Sequence, residues 1–179
     1  CSAQLICAGI PKDGNHIAGK CVDTHFIPGE AGACSKEQTC GADLTCIGTT
    51  NDMSGWCVQT WMSQKAASVD STPLRYENGD MLESYLEMSG LAPRAIDIEI
   101  EFNLEHNALE TVGILLKSPQ GALFEVASGL TDGHLVHQIR AIPENLDANG
   151  LWTLLIASQA RDKTGTLLNW SLKINSDWH

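Results

Sequence analysis

The chain has 179 residues, enough for one large domain or two small ones. Its 11 basic and 22 acidic residues leave a formal charge of -11, which excludes a nucleic-acid partner and gives no attraction to anionic lipid. No apolar run approaches the ~18 residues that a membrane-spanning helix needs, so no transmembrane segment is expected.

All seven cysteines lie between Cys1 and Cys57. Cysteines crowded into a short segment imply an oxidising compartment, so the protein is expected to be extracellular, at a cell surface or facing a periplasm. Metal binding is the rival reading. It lacks support, because no C-x-x-C pair is present and His16 and His25 have no ligand-like spacing. Residues 1–60 are rich in glycine and proline and poor in large apolar side chains, so they cannot offset their own ordering entropy. Disulfides must supply the difference, at about 3 kcal/mol for a loop of a dozen or so residues. Spacing alone leaves their connectivity open.

The stretch GEAGACSKEQTCGADLTCIGTTNDMSGWC resembles the small disulfide fingers of dickkopf, colipase and other secreted cysteine-rich repeats. In those folds the first cysteine pairs with the third and the second with the fourth. The resemblance therefore implies Cys34–Cys46 and Cys40–Cys57, and it leaves Cys7–Cys21 as a third pair. The module either caps or spaces the neighbouring domain, or binds a protein partner. Cys1 is left over. It is a thiol at a chain boundary, a bridge to another chain, or the acylated cysteine of a lipoprotein, which would make it a lipid anchor.

Residues 61–70 are short, polar and alanine-rich, and are expected to form a linker or a single turn. From residue 71 onward the pattern is that of strands. Asn78-Gly79-Asp80 marks a turn, and residues 81–88 read as a strand in this setting. Residues 96–102 alternate without a break: Ile96, Ile98, Ile100 and Phe102 on one face, Asp97, Glu99 and Glu101 on the other. Carboxylates spaced ~7 Å apart along one strand face form a solvated acidic surface and not a catalytic pair. A strand at 111–116 ends in the turn Ser118-Pro119-Gln120-Gly121, and residues 122–127 return as a hairpin. In the strand at 134–139, His134 and His137 face opposite ways and make poor co-ligands.

After Asn149-Gly150 comes the apolar run 151–157, then a polar turn over 158–165, then a strand over 167–174. These two strands are expected to form the closing hairpin. Leu168, Trp170, Leu172 and Ile174 would share the inner face of the second strand, and each strand would give a tryptophan to one side. Short strands separated by turns over about 105 residues make an all-β, jelly-roll-like antiparallel sandwich, with boundaries at 1–60 for the disulfide module, 61–70 for the linker and 71–176 for the sandwich. The chain has no G-x-S-x-G, H-E-x-x-H or phosphate loop, so no catalytic residue is expected.

His106, the Ser118–Gly121 turn, Gly150-Leu151-Trp152-Thr153-Leu154 and the run from Gly165 through Trp170 to Leu172 together resemble the P domain of proprotein convertases, the kexin and furin family. One departure stands out: where the family has Asp-Leu before the Ser-Pro strand, this chain has Thr111-Val112. The resemblance implies a sandwich that packs beside a subtilisin-like catalytic domain and stabilises it without carrying its triad. It also raises calcium as a cofactor, with Asp80, Asp132, Glu144, Asp147 and Asp162 as the loop acids able to ligate it, Asp132 and Asp147 first. The alternative is that these are ordinary solvated acids. The resulting expectation is a non-catalytic, secreted or surface-tethered binding or stabilising protein. Its alternative is the C-terminal accessory region of a secreted subtilisin-like serine endopeptidase, with a protein partner or a covalently linked protease domain.

Overall fold

A computed structural model describes residues 5–8, 20–23, 33–34, 40–42, 44–47, 55–68, 72–75, 81–160 and 163–178. In the cysteine-rich part, strands β1 (Leu5–Ala8) and β2 (Lys20–Asp23) pair antiparallel, which sets Cys7 opposite Cys21 in the backbone register. The side chains of those two cysteines, and all of Cys1, lie outside the described residues. Strands β3 (Ala33–Cys34), β4 (Leu44–Ile47) and β5 (Gly55–Gln59) form a small sheet in the order β3-β5-β4. Disulfides join Cys34 to Cys46 and Cys40 to Cys57, the two pairs that the finger resemblance implies.

The strands that follow are β6 (Trp61–Ser68), β7 (Thr72–Arg75), β8 (Leu82–Met88), β9 (Arg94–His106), β10 (Val112–Lys117), β11 (Leu123–Ser128), β12 (His134–Ile139), β13 (Gly150–Ser158) and β14 (Thr164–Asp177). They make two antiparallel sheets, β11-β10-β13-β8 and β12-β9-β14-β6, with β7 also paired to β14. The alternation read in the sequence sets the packing. Ile98, Ile100 and Phe102 on β9 are fully buried, and so are Ile114 and Leu116 on β10. The two sheets enclose one apolar core, and the architecture is a jelly-roll β-sandwich. Among the described residues, no helix is long and apolar enough to cross a membrane.

Three expectations change. The linker at 61–68 is instead strand β6, paired with β14 over eight residues from Trp61↔Asp177 to Trp170↔Ser68. Its polar composition hides it, because only Met62 and Ala66 pack against the core while the opposite face is exposed. The expected closing hairpin does not exist: β13 pairs with β10 and β8, and β14 with β9, β6 and β7. Each strand carries an apolar face, and placing them in opposite sheets lets both faces meet across the core. Trp152 and Trp170 are buried as expected, and each satisfies its indole N–H, Trp152 on the Ala148 carbonyl at 3.1 Å and Trp170 on Ser84 Oγ at 2.9 Å.

The third change lies within β14. Its register with β9 shifts between Leu167 and Asn169, a β-bulge that leaves Leu168 exposed. Leu167, not Leu168, enters the core, and it is fully buried. At the far end of the same strand, Arg94 grips Asp177 through two hydrogen bonds of 2.6 and 2.5 Å. Asp177 is 1% exposed, so this bidentate pair ties the start of β9 to the end of β14.

Candidate docking face

The two outer faces of the sandwich differ in kind. On the five-stranded sheet, the acidic row of β9 is answered by its neighbours. Lys65 on β6 donates to Glu101 at 2.9 Å, and Ser171 reaches the same carboxylate oxygen at 3.4 Å. Asp97 accepts from Asn175 at 3.0 Å and from Gln138. Asn103 donates to Asn169 at 2.7 Å and meets the His134 ring at 2.9 Å. The lysine beside Glu101 holds its carboxyl below the usual carboxylate range. This face spends its polar groups on one another.

The four-stranded sheet is apolar outside as well as inside. Its outward row on β13 is Leu151, Thr153, Leu155 and Ala157, set against Gly113, Leu115 and Lys117 on β10. Tyr85, Leu123 and Leu151 are about half exposed, at 51%, 58% and 48%. Carboxylates edge the patch: Glu83 and Glu87 lie on β8 and Glu125 on β11, outward and exposed. Tyr85 donates its phenol to Glu83, which pushes the Tyr85 pKa up. Between β10, β11 and β13 this face sinks into a cleft of about 300 Å³, lined by Met81, Gly113, Leu115, Glu125, Leu155 and Ala157 among others. Sequence reading passed over this face. The one available signal was the unbroken apolar run 151–157, since a strand apolar on both sides has two faces to cover.

Of the residues nominated from sequence as metal ligands, the three that are described, Asp132, Glu144 and Asp147, form no group of potential ligands. Asp80 and Asp162 lie outside the described residues. Asp132 is exposed and accepts the His134 backbone N–H at 3.0 Å, in a tight corner where a Cβ on Gly133 would stand 2.0 Å from the Leu104 carbonyl oxygen. Asp147 is buried, and its Oδ1 accepts from the Asn149 backbone at 3.0 Å and amide at 3.4 Å. Glu144 is exposed. Among the described residues the one group of potential ligands is Cys34, Cys40 and Cys46, with sulfurs within 4.8 Å of one another. Reduced, such a group could hold a soft metal ion. Bonded as disulfides, these sulfurs are not thiolates.

Among the described residues, His106 and His134 bond to backbone and amide groups. His106 Nδ1 accepts the Ala108 N–H at 3.0 Å, and His134 turns to Asn103. Thr111, which stands where the resembling family has aspartate, donates to the Ala108 carbonyl at 2.7 Å and meets Ser158 Oγ at 2.8 Å.

Residues 95–174 match the proprotein convertase P-domain family. This part of the chain is a P domain. No curated protein matches the chain in sequence. Among solved structures, the serine protease of Aeromonas sobria in complex with a chaperone is 18% identical with a TM-score of 0.50, over 65% of this chain and 27% of that one. The same protease alone is 17% identical with a TM-score of 0.49, over 66% of this chain and 28% of that one. The VP2 subviral particle of infectious bursal disease virus is 17% identical with a TM-score of 0.42, over 75% of this chain and 37% of that one. Identities this low speak to the fold alone. The chain spans little more than a quarter of the protease's length. The P domain is non-catalytic, and its disulfide-bonded neighbour fits an extracellular, oxidising setting.

Proposed function

We propose that this chain is the accessory, non-catalytic region of a secreted subtilisin-like serine endopeptidase, stabilising a catalytic domain that these 179 residues do not contain. The observation that carries the reading is the P-domain match over residues 95–174. The likeness in fold to the serine protease of Aeromonas sobria agrees with it.

The experiment adds the purified chain to the subtilisin-like catalytic domain encoded in the same genome, in the same reading frame where one exists. Residual peptidase activity is then followed during heating. A longer half-life with the chain present is the expected result. Equal half-lives overturn the accessory role, and labelling of the chain itself by a serine-hydrolase probe overturns its non-catalytic character.

A further inference from the structure

The cleft on the four-stranded sheet has a floor that the fold itself does not require. Gly113 and Ala157 are direct partners across β10 and β13, so the floor carries almost no side chain. Leu115 and Leu155, the next outward pair on the same strands, wall one end. Met81 and Glu125 line it as well. A Cβ added at Gly113 meets no atom within 4 Å, and Gly113 is not among the glycines with positive φ. Glycine inside a strand weakens it, and it usually marks a bulge, a bend or the close approach of another group. The β10–β13 register is unbroken through Gly113, the β10–β11 register shifts one residue on, between Ile114 and Leu115, and the space over Gly113 stays open to another group.

We propose that this trough receives an apolar knob, a single leucine-, methionine- or phenylalanine-sized side chain, presented by a protein surface flanked with lysine and arginine. Size follows from the cleft of about 300 Å³ and its leucine walls. Charge follows from the rim, where Glu125 lines the cleft and Glu83, opposite Leu155, faces outward beside it, with Lys117 as the base on the same face. A basic flank meets those carboxylates with complementary potential, which speeds encounter and fixes register. A second copy of this chain would bring the same carboxylates against them, and each copy carries -11, so self-pairing on this face is opposed. The proposal deepens the accessory reading and rests on it only for the partner's identity; the trough's chemistry stands on its own residues.

Two arms keep these separable. In the first, the full chain is titrated with a synthetic peptide, one phenylalanine between glycines with two lysines at each end, and with its glutamate-flanked counterpart. Backbone amide shifts are expected at Gly113, Leu115, Leu155 and Ala157, with the lysine peptide binding at least tenfold tighter. Gly113→Leu fills open space, so it should keep or raise the melting temperature while weakening the lysine peptide at least tenfold, and Ala157→Leu provides a second filling. Shifts located elsewhere, equal binding by Gly113→Leu, or no preference between the peptides overturns the proposal. A concentration-dependent dimer that Gly113→Leu abolishes overturns it in favour of a second copy. In the second arm, the catalytic domain replaces the peptide. Protection of the protease by wild type and not by Gly113→Leu supports the trough as its seat. Protection by both removes the trough as the seat and leaves the accessory role standing. Peptide seating without protease binding removes the accessory role and leaves the trough's chemistry.

Discussion

Trp152 and Trp170 are the residues on which most of the core converges, each fully enclosed with its indole N–H satisfied. Truncating either to alanine should cost about 3–5 kcal/mol, read from chemical denaturation, because the cavity is large and also strands a hydrogen-bond acceptor. A loss below ~1 kcal/mol for both would mean that the sandwich does not close around them. Both burials were legible in the sequence, since a tryptophan on the apolar side of an alternating strand has one place to go. Leu168 was not. The bulge next to it depends on how β14 meets β9, and alternation within a single strand carries no trace of its partner's register. Charge at this scale gives a second expectation. Lys65 holds Glu101 below its ordinary value of 4.5, so this pair favours the folded state above that pH, and the contribution fades as pH falls through the lowered folded value. Lys65→Met should therefore flatten the dependence of the melting temperature on pH below about 4.5 and leave its slope near neutrality unchanged. An unchanged acid limb would show that the contact is not formed in solution.

β6 is the element that composition concealed. Serine, glutamine, lysine and alanine are weak strand formers, and what makes residues 61–68 a strand is the free edge that β14 offers them. No local property of the segment reports that edge. The strand's two faces supply the test, because a linker would have none. Ala66 packs against the core, whereas Ala67 points outward and is exposed. Ala66→Asp should destabilise by about 2 kcal/mol or more through an unpaired carboxylate forced inward, while Ala67→Asp should change stability by less than ~0.5 kcal/mol. Equal, small effects would return the segment to a linker. The absent hairpin between β13 and β14 has a similar cause. Two apolar strands separated by a polar turn satisfy the hairpin pattern and the sheet-to-sheet crossing equally well, and burial on both sides of the core favours the crossing.

For the molecule as a whole, the all-β sandwich, the disulfide module and the P-domain resemblance could be read in advance, because each rests on a pattern local in sequence. The docking face could not. It is assembled from β8, β10, β11 and β13, and its openness depends on which strands end up neighbours. Calcium is the remaining whole-molecule question. Asp132 serves a turn, Asp147 is engaged with Asn149, and among the described residues no three carboxylates converge. Any response of the thermal midpoint to millimolar calcium, set against excess chelator, is therefore expected to be the same in Asp132→Asn as in the unaltered chain. A midpoint that rises with calcium, and rises less in Asp132→Asn, would restore the loop acids as ligands.

The pairing of Trp61 with Asp177 has a mechanical consequence. Through this rung the chain enters and leaves the sandwich on adjacent antiparallel strands, about 5 Å apart. A load applied through residues 61 and 177 would bear on one rung at a time and peel β6 from β14, instead of shearing the whole ladder at once. The bond from the Trp178 indole to the Gln59 carbonyl, 3.0 Å long, sits where that peeling would begin, while the Arg94–Asp177 clamp holds the same end of β14 to β9. The Trp178 bond acts as a latch at the weak end of a zip. Tethered by these two ends, the sandwich would give way at low force once the latch opens, and it would rezip from the far end, where β6 and β14 remain aligned.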